Sequence, residues 1–322
     1  MGIYFNCMKK VIIGIIVAVL VIVFSLVYFS QSKESLSQLE QIPNTTKQND
    51  VRTIAEATYY CDGDKTIQAT YQEVTGLDSS EAKPEQIPQP TGSLKLTFAG
   101  DKTVSLAQTI SASGARYENK AQSLVFWSKG SGALVLENDQ EDNYTNCIEV
   151  AKDNGTLPQV YANGADGYSA RYPKGYTALT ISQGDSLAQN ATSVGVKFTI
   201  DPAVASGTNL SSDSYVSIEK VEPVSDSCSA IDFLLADGRD LRESTVTANG
   251  KEYSVASSTD AGAGNRYEQW VYAIPGSNPC RAVRYYIHYS VFENYPAGMV
   301  ERFDKTALIN TFDSVRDSLI LE

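Results

Sequence analysis

Histidine is nearly absent: the 322-residue sequence holds one, with three methionines and two tryptophans. With a single histidine no metal-ligand spacing of His and Cys is found, and Asp62-Gly63-Asp64 reads as a turn. The residue itself, His288, falls mid-strand within Tyr286-Ile287-His288-Tyr289, as a structural or surface histidine does. With the exported cysteines paired, neither a Ser-His-Asp nor a Cys-His arrangement can be proposed. Phosphate loops are also lacking. Gly262-Ala263-Gly264 has no helical pattern after it and reads as a hairpin loop. Positive charge is the scarcer sign, 26 Lys and Arg against 38 Asp and Glu, for a net charge of −12. That balance disfavours nucleic acid and favours a basic partner through long-range steering; plain solubility is the competing explanation.

Long apolar runs are missing with one exception, residues 11–29 (VIIGIIVAVLVIVFSLVYF). As a helix this stretch is long enough to cross a hydrocarbon core of about 30 Å. Lys9 and Lys10 precede it, so the positive-inside rule puts the N-terminus in the cytoplasm and everything after Ser30 outside. A cleaved signal peptide is the competing reading, since Ser30 and Ser32 are small enough for a cleavage site. The run exceeds the roughly 7–15 apolar residues of such a leader, which favours a retained single-pass anchor in residues 1–30 with extracytoplasmic domains, periplasmic or on the cell surface. Of five cysteines, Cys7 lies on the cytoplasmic side and leaves an even set of four in an oxidising compartment. Sequence alone leaves their connectivity open. Pairing Cys61 with Cys147 and Cys228 with Cys280 closes one proposed domain each.

Residues 31–56 are polar, poor in aromatics and aperiodic over most of their length, and read as a flexible stalk. From residue 57 short period-two patterns take over: 66–71, then Leu94, Leu96 and Phe98 alternating with polar residues, then 104–106, 124–127 and 134–136. The breaks carry Gly, Asp, Asn or Ser, with 100–102 a clear turn, so antiparallel strands joined by hairpins are expected. Residues 76–92 contain three prolines (Pro84, Pro88, Pro90) and form a surface excursion. Strands this short, with no helical pattern between them, are best protected by a small closed or nearly closed barrel over 57–148.

Residues 149–166 have the composition of a linker. The rest, 167–322, reads as an α+β domain with an antiparallel sheet and a C-terminal helix. Strands are expected at 169–172, 178–181, 194–200, 215–221, 251–256, 267–274 and 281–290, with 257–265 a loop and 226–236 a short helix. Leu308, Phe312, Val315 and Leu319 then recur at helical spacing behind Asp304 as cap. The order of these elements is similar to the PsbP/Mog1-like α/β sandwich; the comparison rests on order and implies no activity.

Two polar loops flanked by strand sequence stand out, Ser111-Ala112-Ser113-Gly114-Ala115-Arg116-Tyr117 and Phe126-Trp127-Ser128-Lys129-Gly130. Together with Tyr59-Tyr60-Cys61-Asp62-Gly63-Asp64-Lys65 before them and Tyr144-Thr145-Asn146-Cys147 after, they resemble the MliC/PliC family of bacterial c-type lysozyme inhibitors. The resemblance covers residues 57–148 and implies the same barrel fold, no enzymatic activity and no cofactor. Its membrane forms are commonly lipoproteins, and this chain departs from them, because Cys7 precedes the apolar stretch.

A c-type lysozyme works with a carboxylic acid and an ionised carboxylate across an open cleft. A blocking projection must satisfy both, since burying them unpaired costs several kcal/mol. By the resemblance Ser113 and Lys129 enter the cleft. Ser113 brings a hydroxyl that donates and accepts, and Lys129 an ammonium on a long stem. Gly114 allows the sharp turn beside Ser113, and Ser128 flanks Lys129. Arg116 is placed to pair with acidic groups at the rim, and Tyr117 and Trp127 offer rigid aromatic area. Ser111 is equally well read as a turn residue. On β alternation one of Phe126 and Trp127 belongs to the core, and the pattern leaves open which. The acidity fits, since c-type lysozymes are basic and residues 57–150 carry 13 Asp and Glu against 7 Lys and Arg, a net of −6. The expected function is therefore a membrane-anchored, exported inhibitor of c-type lysozyme. The rivals are an envelope adhesion or organising protein that uses the barrel as scaffold and the C-terminal domain for binding, and, on exposed acidic residues alone, a glycan hydrolase.

Overall fold

Alternation of apolar and polar residues drives the first half of the chain into a sheet that closes on itself. The computed structural model describes residues 50–75, 90–140, 143–182, 193–221, 228–234 and 241–322. Its first eight strands are β1 (Asp50–Cys61), β2 (Lys65–Thr75), β3 (Gly92–Phe98), β4 (Thr103–Thr109), β5 (Ala115–Glu118), β6 (Leu124–Lys129), β7 (Gly132–Glu137) and β8 (Cys147–Val150). They form a closed antiparallel barrel in sequence order, with β8 returning to β1 in the register Thr58↔Val150 and Tyr60↔Ile148. Closure removes both sheet edges.

Leu94, Leu96 and Phe98 point inward with Ile67, Ala69, Leu106, Leu124, Phe126 and Val135, and Lys95 between them is exposed. The Cys61–Cys147 disulfide joins the end of β1 to the start of β8. β1 reaches back to Asp50, into the stretch read as stalk. Its first residues, 51–56, are exposed, so no buried face marks them in the sequence.

A second lobe follows. β9 (Gln159–Asn163), β10 (Tyr168–Tyr172) and a late strand make a three-stranded sheet; β9 falls in the stretch read as linker. Next come β11 (Thr177–Ile181), β12 (Val194–Thr199), the short helix α1 (Pro202–Ala205), β13 (Tyr215–Val221), β14 (Glu243–Ala248), β15 (Lys251–Gly262), β16 (Asn265–Ala273), β17 (Cys280–Ser290), helix α2 (Lys305–Asp317) and β18 (Ile320–Leu321), the late strand beside β10. The antiparallel seven-stranded sheet runs β11-β12-β13-β17-β16-β15-β14. Asp304 caps α2 by accepting from the Ala307 N–H at 2.9 Å. Leu308, Phe312 and Val315 pack onto β17, with the Phe312 and Tyr285 rings 5.4 Å apart. Leu319 lies past the helix end and is still buried.

Central strand β17 is covered on both faces. Opposite the helix, Arg284 and Glu219 form a fully buried bidentate pair (2.7 and 3.0 Å). The guanidinium also donates to Gln269 and to the Phe233 carbonyl, and Ser217 donates to Glu219, so the charges are hydrogen-bonded as burial demands. The Cys228–Cys280 disulfide ties the covering segment to this strand.

Two further expectations change. The helix expected over 226–236 is, within the described residues, a single 3-10 turn at Ala230–Phe233. The loop expected over 257–265 is strand: β15 and β16 pair up to Gly262↔Asn265 around the two-residue turn Ala263-Gly264, both with positive φ as a type I′ hairpin turn requires. Most of residues 257–262 are exposed, so nothing selects an apolar face there. Among the described residues no helix is long and apolar enough to cross a membrane. Residues 11–29 lie outside them, as do 31–49 and 76–89.

Candidate functional site

Antiparallel strands alternate the ends at which their connections emerge, so the β4–β5 loop (110–114) and the β6–β7 turn (Gly130-Ser131) share one end of the barrel. β5 pairs with β6 in the register Ala115↔Ser128 and Arg116↔Trp127, which sets the two motifs side by side. Gly114 is the point of closest approach. It has φ +67°, and a Cβ there would fall 2.3 Å from the Ser128 carbonyl oxygen and 3.1 Å from the Lys129 Cβ. Only glycine meets both demands, the left-handed backbone and the missing side chain.

The Ser113 carbonyl is held from two sides. The Ser111 hydroxyl donates to it at 2.6 Å and the Trp127 indole N–H at 2.8 Å. The choice between the two aromatics is therefore made: Phe126 is the core residue, fully buried, while Trp127 lies outside the lumen and clamps the neighbouring loop. Arg116 turns to its own strand, pairing with Glu118 at 3.1 Å. A hydrogen bond from Gln122 and then Arg116 hold the Glu118 carboxyl below its usual range. Tyr117 is buried in the barrel, its ring 5.7 Å from that of Tyr71, so its area is spent on the core rather than presented outward. Ser128 also faces inward. Ser113 and Lys129 differ from all of these: both are exposed, and among the described residues neither side chain has a hydrogen-bond or ion-pair partner.

Beneath Lys129 lies a small polar group that the sequence does not advertise. The Tyr59 and Tyr71 hydroxyls are 3.0 Å apart, and Tyr71 donates to Ser128 Oγ at 3.5 Å. Glu149 is the register partner of Tyr59 and shares its face. Burial pushes the Glu149 carboxyl above its usual range and, with Tyr71 beside it, the Tyr59 phenol higher still. The alternation of Cys147 and Glu149 on β8 is the signal that would have found this carboxylate. A second unforeseen residue is Ile110, 56% exposed at the base of the Ser113 loop; a bulky apolar side chain outside the strand alternation was its sign. His288 pairs with Asp213 at 2.8 Å and stacks on Tyr267 in the seven-stranded sheet, outside the barrel.

Residues 59–143 match the family described as membrane-bound lysozyme-inhibitor of c-type lysozyme, MliC, and the matched span contains both loops. No curated protein matches the chain.

Proposed function

We propose that this chain is an exported inhibitor of c-type lysozyme, held at the membrane by residues 11–29, whose loops carrying Ser113 and Lys129 enter the enzyme's catalytic cleft. The family match over the barrel supports the class of function. The observation that carries the residue assignment is the division of labour within the motifs. Ser111, Gly114 and Trp127 spend their groups on fixing the loop, Arg116 on Glu118, and Tyr117 and Ser128 on the lumen. Ser113 and Lys129 alone among the motif's side chains present exposed, unpaired polar ends.

Holding the loop backbone in place before binding lowers the entropy lost on association, leaving mainly the Lys129 stem to be ordered. The Lys129 ammonium meets the ionised carboxylate of the enzyme, and the Ser113 hydroxyl, able to donate and accept, meets the protonated one. Both catalytic groups are then buried with partners, and substrate is excluded.

The test is to titrate the full chain, in detergent, into a c-type lysozyme and follow cell-wall lysis. Lys129→Ala weakens inhibition by about 2–5 kcal/mol, as truncating one partner of a buried charge pair does, and adding Ser113→Ala weakens it further. Inhibition that survives both changes sinks the assignment. A second reading, an envelope adhesion or organising protein with the barrel as scaffold, draws on the seven-stranded sheet outside the matched residues. Binding of the full chain to peptidoglycan, with no inhibition of any c-type lysozyme, decides for it.

A further inference from the structure

The ground around Lys129 is not made by the barrel alone. Strand β18 lies along β10 in the register Tyr168↔Leu321, and the Glu322 N–H donates to the Gly167 carbonyl at 2.9 Å. From the barrel side, the Ser131 hydroxyl in the Lys129 turn donates to the Leu321 carbonyl at 2.9 Å. These bonds bring Glu322 across to the barrel. Its carboxylate lies over Gly132, where a Cβ would fall 2.6 Å from Oε1. Trp127, Lys129, Leu134, Asn146, Gly164 and Glu322 line one cleft of about 340 Å³. Like Lys129, Glu322 is exposed, and among the described residues it has no ion-pair partner for its side chain.

We propose that Glu322 is a second contact residue for the enzyme that Lys129 engages, receiving a Lys or Arg side chain from the rim of a c-type lysozyme's cleft. The inference rests on the inhibitor reading above and extends it to the second lobe. Its ground is charge complementarity and continuity. Although the body of the chain is acidic, the Lys129 ammonium at the tip locally repels cationic groups on the rim of the cleft it enters. An acidic group across the same cleft restores attraction at the rim and fixes the angle of approach. The second lobe, through β18, supplies that group in the cleft that Lys129 lines. Glu322 thus serves as a specificity determinant: a lysozyme with an acidic or apolar residue at the matching rim position is bound less well.

The experiment measures association rate and Kd of the full chain with a c-type lysozyme at low and at high salt. It compares the parent with Glu322→Gln, Glu322→Lys, Lys129→Ala, and Glu252→Lys as a control for net charge at an exposed site on β15. Glu322→Lys is expected to weaken binding by about a hundredfold and to slow association, Glu322→Gln by about threefold to tenfold, and Glu252→Lys much less, with the differences shrinking at high salt. Thermal melting checks that the variants fold, and where Glu322→Lys does not, Glu322→Gln decides. Binding by the Glu322 variants equal to that of the Glu252 control, while Lys129→Ala is weakened, overturns the Glu322 contact and leaves the inhibitor reading standing. A parent that binds no c-type lysozyme overturns both.

Discussion

Among the motif residues, type alone does not separate those that hold the loop from those that reach out of it. Ser111 and Ser113 are chemically identical, yet the first hydroxyl bonds the backbone of the second while the second is exposed. The difference lies in a carbonyl that also receives the Trp127 indole, fourteen residues away in sequence. Trp127→Phe keeps the ring and deletes the donor. We expect it to cost about 0.5–1.5 kcal/mol of inhibitory affinity, with faster hydrogen exchange at 111–114 and little change in thermal stability. An affinity equal to the parent's would show that Ser111 and the Gly114 turn suffice to hold the loop. Sequence nominated Trp127 as contact area and left open whether it or Phe126 belonged to the core. Both fit the alternation, and only the cross-strand pairing of Phe126 with the buried Tyr117 and Val135 decides which ring faces the lumen.

At the scale of elements, the strands with one buried and one exposed face were legible, and those without were not. β3 alternates cleanly and was read within two residues, because Leu94, Leu96 and Phe98 must share the lumen. β14 and the outer half of β15 carry no such pattern, since hydrogen bonding to a neighbour, rather than burial, makes them strands. β8 was hidden by its shortness, and it closes the barrel and carries Glu149. Burial raises the Glu149 pKa in the folded state above its unfolded value. Folding therefore favours the protonated form, and stability falls as pH rises through the raised folded value, because the charged form is the one burial penalises. Glu149→Gln removes that penalty. Its Tm is expected to exceed the parent's at about pH 7 and to converge with it at about pH 3, below the unfolded carboxyl's value of about 4.3. A constant offset across that range would place the carboxylate in solvent.

The whole molecule is acidic, with a net charge of −12, and the proposed inhibitory tip carries an exposed cation, Lys129. On the proposed function, association with a basic enzyme is steered by the body of the protein and completed by the tip. Stopped-flow measurement is expected to show an association rate that falls steeply as ionic strength rises, with a dissociation rate that changes much less. Equal salt dependence of both would assign the attraction to contacts formed only in the complex.

Composition, the even set of four cysteines and the period-two patterns sufficed for a disulfide-bonded β protein with a helix in its second lobe. Spacing of local residues carries that information, because alternation and capping act over a few positions. What only the tertiary structure decided is which polar groups are left over. Whether Tyr117 is spent on the core, Trp127 on the Ser113 carbonyl, or Glu322 set beside Lys129 depends on neighbours brought together by barrel closure and by a strand nearly two hundred residues downstream. Nothing within a few residues of each side chain encodes that company.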